Sequence, residues 1–333
     1  MRNILLLGAG FSKNWGGPVA SEVFQSLIAD QEIRNNEGLR NLLLAHRANF
    51  ENAIAALQKE LLEVPKASPE VLHLMLRAIS RLFARMNKLF ARQQFYLLDA
   101  QGHLNGATRP DIFLSKYNEI FTLNQDLLLE IHYFDHPQYL QGVWGGACLP
   151  GLVAGGGQHD NAKPFSNRTW VTDGNLKVPN NVQPYYKLHG SVNWSEDGMM
   201  ILGTGKADAI KGNKLLDSYQ QVFARSLQQP NTRLTIIGYG FRDDHINEAL
   251  KVAITQHGLK FYLIDPAGAD LAYRLRNEVR PDGDNTPAWH PERTPLEDWF
   301  EQGLYSASII PFRRLLIDES LDREWLEDFL TGK

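Results

Sequence analysis

The stretch that most constrains this chain is Asn3–Pro18, NILLLGAGFSKNWGGP. Ile4–Leu7 is an unbroken apolar run, the pattern of a strand buried on both faces of a parallel sheet. Gly8 and Gly10 follow at once, and without Cβ atoms they permit a tight turn and a close approach to the backbone. Pro18 suits the first turn of a helix, and Val19–Ala29 has helical character. Strand, glycine turn and helix start together form an arrangement that favours a phosphate, through free N–H groups and the helix dipole. The dinucleotide fingerprint G-x-G-x-x-G is met only in part, because Lys13 stands where its third glycine would be. No Gly-Lys-Ser/Thr follows, so the P-loop pattern fails. The stretch alone fits either a nucleotide site or an ordinary tight strand-to-helix turn.

The rest of the chain repeats this grammar. Short apolar strands are expected at Asn118–Leu123, Tyr185–Leu188, Arg233–Ile237 and Lys260–Ile264, and helices at Gln125–Tyr133, Lys214–Gln228 and Asp243–Gln256. Such alternation predicts an α/β fold, a Rossmann-like doubly wound parallel sheet. Two helical stretches interrupt it. Residues 38–64 carry Leu42, Leu43, Ile54, Leu57 and Leu61, and residues 69–98 carry Leu72, Leu76, Ile79, Phe83, Met86 and Phe90 at three- and four-residue steps. Residues 32–110 are therefore read as an inserted helical subdomain, with 1–31 and 111–333 forming the main domain. Residues 270–333 read as a last helix–strand–helix portion. The second helical stretch also carries Arg77, Arg81, Arg85, Lys88 and Arg92, either a solvated face or a contact for a partner or second copy. Seven glycines between 141 and 157 suggest a loop there.

Composition narrows the class. With 333 residues there is ample chain for a large core. A net charge of −4 gives no global sign of nucleic-acid binding. Cys148 is the single cysteine, which excludes a disulfide framework or a multi-cysteine zinc site. The apolar run Ile4–Leu7 is too short for a signal peptide, and no stretch approaches the ~20 apolar residues of a membrane span. A cytoplasmic protein that binds neither membrane nor nucleic acid directly is the expectation.

In open α/β sheets, ligands bind beyond the carboxyl ends of the strands. The first strand ends in GAGFS. The second ends in FTLNQD, which delivers Thr122, Asn124 and Asp126. The third ends in YKLHGS, which delivers His189, Gly190 and Ser191. The fourth ends in GYGF, with Gly238, Gly240 and Phe241 before a helix that Asp243 or Asp244 could cap. The fifth ends in Asp265 before Pro266. Each feature has a plainer reading: a helix cap for Asn124, a first-turn carboxylate for Asp126, a core histidine for His189, a turn residue for Asp265. Their shared place in the grammar argues for a common site.

These motifs resemble the sirtuin-like superfamily of NAD-consuming enzymes. The sirtuin opening G-A-G-x-S-x-x-x-G-x-P is present as Gly8, Ala9, Gly10, Ser12, Gly16 and Pro18. The sirtuin T-Q-N-x-D appears as Thr122, Leu123, Asn124, Gln125 and Asp126, with leucine replacing the first glutamine. The H-G pair appears as His189–Gly190, and the later glycine turn as Gly238–Phe241. The resemblance implies that Gly8, Ala9, Gly10, Phe11, Ser12 and Pro18 hold the NAD pyrophosphate side, with Thr122 nearby. It implies that Asn124 holds the nicotinamide ribose or a water, that Asp126 faces the carboxamide, and that His189 is the general base. Gly238, Gly240 and Phe241 would line the adenosine side and Asp265 its ribose.

Departures from the sirtuin pattern refine that expectation. Val19, Ala20 and Ser21 replace the Asp-Phe-Arg of protein deacylases, and the four-cysteine zinc module cannot be built. The chain is more similar to zinc-less bacterial sirtuin-like proteins of antiphage defence, which hydrolyse NAD and work as oligomers or with a HerA-type ATPase or a short Argonaute. The expected activity is NAD glycohydrolysis with NAD as substrate and no metal. A non-catalytic NAD or ADP-ribose module, and a deacylase or ADP-ribosyltransferase, stay open as alternatives.

Overall fold

The computed structural model describes residues 1–46, 50–64, 68–97, 109–136, 143–194, 201, 206–273, 295–317 and 321–332. The chain packs as two compact units, each assembled from separated stretches. One takes Met1–Phe11, Tyr96–Phe121 and Gln220–Lys333, and the other takes Ser12–Phe95 and Thr122–Tyr219. Seven parallel strands flanked by helices make the architecture α/β and Rossmann-like, as the alternation predicts.

The first unit holds five of those strands in the order β2-β1-β7-β8-β9. These are β1 (Arg2–Leu7), β2 (Glu119–Thr122), β7 (Thr232–Ile237), β8 (Lys260–Ile264) and β9 (Leu304–Ser308). β1 pairs with β7 in parallel from Arg2–Thr232 to Leu7–Ile237, and β7 pairs with β8 from Arg233–Lys260 to Ile237–Ile264. Ile4, Leu5, Leu6 and Leu7 are all fully buried, which is why this strand reads as an unbroken apolar run rather than an alternating one. The chain leaves β1 towards β2 on one side and returns to β7 on the other. The carboxyl ends of β1 and β7 therefore form the switch point, where open sheets of this kind take their ligands.

The second unit holds the parallel pair β3 (Gly146–Cys148) and β6 (Val182–Lys187), and an antiparallel pair, β4 (Leu152–Ala154) with β5 (Trp170–Thr172). Its helical part contains α2 (Ala20–Ile28), α3 (Gln31–Asn35), α4 (Glu37–Ala45), α5 (Phe50–Glu63) and α6 (Glu70–Phe90). Leu27, Ile33, Leu39, Leu43, Ile54, Met75 and Ile79 pack there into one apolar cluster.

Several expectations need correction. The expected helical character of 38–64 holds among its described residues, as α4 and α5, but other readings change. The helix expected over Val19–Ala29 is α2, whose N-cap is Val19, so Pro18 precedes the helix instead of opening it. A shorter helix, α1 (Ala9–Lys13), begins directly after Gly8. Of the glycine-rich stretch, residues 141 and 142 lie outside the described region, and the rest is not a plain loop: it supplies β3 and β4. Gly145 N–H donates to the Asn181 carbonyl at 2.7 Å, and Gly155 N–H to Thr169 at 2.7 Å. Glycine content misleads here because backbone pairing, not side-chain packing, holds these short strands. Finally, two of the basic residues of α6 serve the fold. Arg81 grips the buried Asp30 carboxylate at 2.7 and 3.1 Å and also reaches Glu32 at 3.0 Å, and Arg77 lies 3.5 Å from Glu32. Asp30 meanwhile caps α3 by accepting from Glu32 N–H at 3.0 Å. The Arg81 hydrogen bonds hold the Asp30 carboxyl below the usual carboxylate range, against the effect of its burial.

Candidate active site

In the first unit, the two glycine turns at the switch point lie against each other. Gly8 N–H donates to Ile237 and Gly10 N–H to Gly238, both at 3.0 Å. A Cβ on Gly10 would stand 2.6 Å from Gly238 Cα, and one on Gly238 would stand 2.4 Å from Gly10. The bare backbone expected to admit a phosphate thus admits a neighbouring turn, and the N–H groups of Gly8 and Gly10 already have partners. Ala9 between them is exposed. Phe11 is buried with its ring 5.5 Å from Phe312.

The GYGF turn is held by side chains. Tyr239 Oη donates to Asn247 Oδ1 at 2.9 Å, and Asn247 Nδ2 donates to the Phe241 carbonyl at 2.9 Å. Phe241 adopts a left-handed backbone (φ 55°), rare for a bulky residue, with its ring against Tyr239 and Phe300. Gly240 is half-buried in this turn, and Asp243 stands at the N-cap position of α7 (Asp244–His257). Asp265 Oδ1 accepts from Ala267 N–H at 2.9 Å, which makes it a turn-forming residue at the end of β8.

In the second unit a polar chain runs through three of the singled-out residues. Asn124 Nδ2 donates to Ser12 Oγ at 3.1 Å, and Ser12 Oγ donates to Asp126 Oδ2 at 2.7 Å. Asp126 Oδ1 accepts from Leu128 N–H at 3.0 Å, so this carboxylate also caps the helical segment that follows. Thr122, fully buried, accepts from Asn124 N–H at 3.0 Å through Oγ1. Ser12 itself packs against Gly17, where a Cβ would meet Ser12 Cβ at 2.8 Å. Gly17 is therefore bare for the sake of Ser12, and half-buried Pro18 follows it.

The Asn124–Asp126 turn and the His189 turn are laced together. Leu188 N–H donates to the Thr122 carbonyl at 2.9 Å and Val192 N–H to the Gln125 carbonyl at 3.3 Å. Gln125 Nε2 donates to the His189 carbonyl at 3.3 Å and to the Ile201 carbonyl at 2.6 Å. His189 is buried, and Gly190 turns the chain with φ 75°. The structure thus brings Ser12, Thr122, Asn124, Asp126 and His189 together within one unit. Gly8, Ala9, Gly10, Phe11, Gly238, Gly240, Phe241 and Asp265 belong to the other.

Sequence reasoning passes over three residues here: Gln125, the hub between the turns, and the buried pair Lys187 and Glu130. The signal was a charged side chain inside an otherwise apolar run, in YYKLHG and in DLLLEIHYF. Lys187 and Glu130 lie fully buried at 2.7 Å. Burial pushes the Glu130 carboxyl above its usual range, and the Lys187 ammonium opposes that rise.

No curated protein matches the chain. Residues 118–281, which contain the Asn124, His189, Gly238 and Asp265 motifs, match the model of a family described as SIR2-like domain. That stretch therefore supports a sirtuin-like domain, with an NAD-related activity as its general expectation.

Proposed function

We propose that the chain hydrolyses the N-glycosidic bond of NAD, with water and NAD⁺ giving nicotinamide, ADP-ribose and a proton. The observation that carries the reading is the laced pair of turns, which puts the Asn124–Ser12–Asp126 chain beside the His189 turn. Binding a dinucleotide does not by itself require an amide and an imidazole on two turns laced together through their backbones. Cleavage does, because nicotinamide is already a cationic leaving group and the remaining task is to orient the ribose and a nucleophile. In this reading the Asn124 carboxamide orients the ribose hydroxyls or the attacking water. His189 accepts the water's proton as the new C–O bond forms and the glycosidic electron pair leaves with nicotinamide.

The missing zinc module and the resemblance to antiphage NAD hydrolases support a defence role for the activity, with assembly into an oligomer or with an ATPase or Argonaute partner. The direct test is to incubate the purified chain with NAD and quantify nicotinamide and ADP-ribose in equal amounts. NAD should be cleaved faster than NADP, since no cationic clamp for a 2′-phosphate stands out in the sequence. Transfer of ADP-ribose to a protein without free ADP-ribose would replace hydrolysis with a transferase. Binding without cleavage, alone and with candidate partners, would leave only a sensor module.

A further inference from the structure

Gln183, Tyr185 and Lys187 share one face of β6, spaced by two as a strand requires. All three engage the segment that follows Asp126. Tyr133 Oη donates to Gln183 Oε1 at 2.9 Å, Tyr185 Oη points to Glu130 Oε2 at 3.5 Å, and Lys187 Nζ donates to Glu130 Oε1 at 2.7 Å. That segment widens into a π-helical turn over Glu130–Phe134, an irregularity found frequently at functional sites. Lys187 has a second acceptor, the main-chain carbonyl of Asp126. The other side of the same peptide group is also held, since Leu127 N–H donates to Asn87 Oδ1 of α6 at 3.1 Å.

A single peptide plane, Asp126–Leu127, is therefore fixed at its C=O by Lys187 and at its N–H by Asn87. A lysine ammonium fully removed from water is a costly way to hold a strand against a helix, because apolar residues of the same volume usually do so as well or better. What apolar residues cannot do is orient a carbonyl.

We propose that Lys187 and Asn87 are positioning residues. They fix the orientation of the Asp126–Leu127 peptide, and through it the turn that carries Asn124 and Asp126, against the His189 turn two residues beyond Lys187. Glu130 neutralises Lys187 in this role. The inference rests on the NAD-cleaving reading for its kinetic consequence, but its structural consequence is independent of it.

The test compares wild type with Lys187→Met, the double variant Lys187→Met/Glu130→Gln, Lys187→Arg and Asn87→Ala. Three quantities are measured: nicotinamide release from NAD, melting temperature, and amide hydrogen exchange of peptides covering 122–129. Lys187→Met and Asn87→Ala should lower kcat on the order of 10²-fold, the effect of a displacement of about 1 Å, with KM changed less than about threefold. Exchange at 122–129 should rise in both. The double variant should regain most of the melting temperature, because no carboxylate is stranded, yet keep the low kcat and fast exchange. Lys187→Arg should recover part of the rate. A double variant that regains rate and protection together with stability reduces the pair to packing and overturns the proposal, as does unchanged kcat and exchange in Asn87→Ala. Asn87 lies on the half-buried side of α6, so that variant decides the matter even if Lys187→Met fails to fold. If wild type releases no nicotinamide from NAD, alone or with candidate partners, the functional reading fails while the exchange data still decide the clamp.

Discussion

At the residue scale, the proposed chemistry rests on Asn124 and His189, and each makes a separate claim. His189→Ala should lower nicotinamide release by roughly 10²- to 10⁴-fold, the usual range for losing a positioned proton-transfer group, and Asn124→Ala by about 10²-fold or more, through lost orientation of the ribose or water. The double variant should lose little more, because the two act in one step. NAD affinity, measured by calorimetry, should survive in part. Variants that cleave NAD at the wild-type rate would remove both residues from the mechanism, and a His189→Ala variant that unfolds would make the imidazole a core residue. The buried pair gives a prediction of a different kind. Glu130 faces Lys187, Tyr185 and Asp126, and burial already raises its pKa. Removing the ammonium in Lys187→Met raises it further. A carboxyl whose folded pKa lies above its unfolded value, about 4.3, costs nothing below that value, where it is protonated in both states. Its cost grows as pH rises from there through the folded pKa. The melting temperature of Lys187→Met should therefore fall below wild type at pH 7, where breaking a buried pair costs about 3–5 kcal/mol, and the gap should narrow near pH 5. A gap that stays constant with pH would show that Glu130 is not the group left stranded.

At the element scale, what the sequence shows depends on what holds each element. Lys260–Ile264 is a strand with the bounds its apolar run implies, because burial on both faces writes itself into four successive residues. The stretch after Asp126 was legible as helical, but its π-helical turn was not, since one extra residue per turn leaves apolar spacing almost unchanged. β3 and β4 were hidden because strands of three residues set among glycines are too short to show a side-chain pattern. The contact between Gly10 and Gly238 joins residues far apart in the chain, and no local periodicity records it. The glycines themselves were legible; their partner was not. In the candidate site, the charges in YYKLHG and DLLLEIHYF could be seen, but their pairing across the unit could not. α6 shows the same division. Its cationic positions could be counted, yet only the structure separates Arg81, tied to the cap of α3, from Arg85, which is exposed. Arg81→Glu sets a third carboxylate beside Asp30 and Glu32 and should lower the melting temperature. Even the neutral Arg81→Met should cost about 1 kcal/mol, a charged hydrogen-bond pair discounted for the partial exposure of the guanidinium. Arg85→Glu should stay within about 0.5 kcal/mol of wild type. Thermal unfolding of the three variants checks this, and equal losses at 81 and 85 would mean that the Asp30 contact does not support the helical core.

At the scale of the whole molecule, the proposed hydrolysis of NAD raises the question of how such an activity would coexist with a cell that depends on NAD. Under that proposal intrinsic turnover of the isolated chain would have to be low or conditional, and assembly is one way to impose the condition. The basic residues first read as a contact for a partner or second copy are only partly available, because Arg77 and Arg81 are engaged within the fold. Arg85, Lys88 and Arg92 remain. They are exposed, with Arg85 and Lys88 on the last turns of α6 and Arg92 in the turn just beyond it, and none takes part in an ion pair among the described residues. On a protein of net charge −4, such a row fits an acidic surface on a second copy or a partner better than it fits the bulk of its own exterior. Association through it should weaken with salt, because exposed charges are screened within about 10 Å at 0.1 M. The expected outcome is an oligomer by light scattering at low salt, or with the partner, and turnover per chain that rises with protein concentration. Reversal of all three cations to glutamate should abolish both while leaving the melting temperature close to wild type. A triple variant that assembles and cleaves NAD as wild type does would return this row of cations to the role of a solvated face and place the restraint elsewhere in the chain.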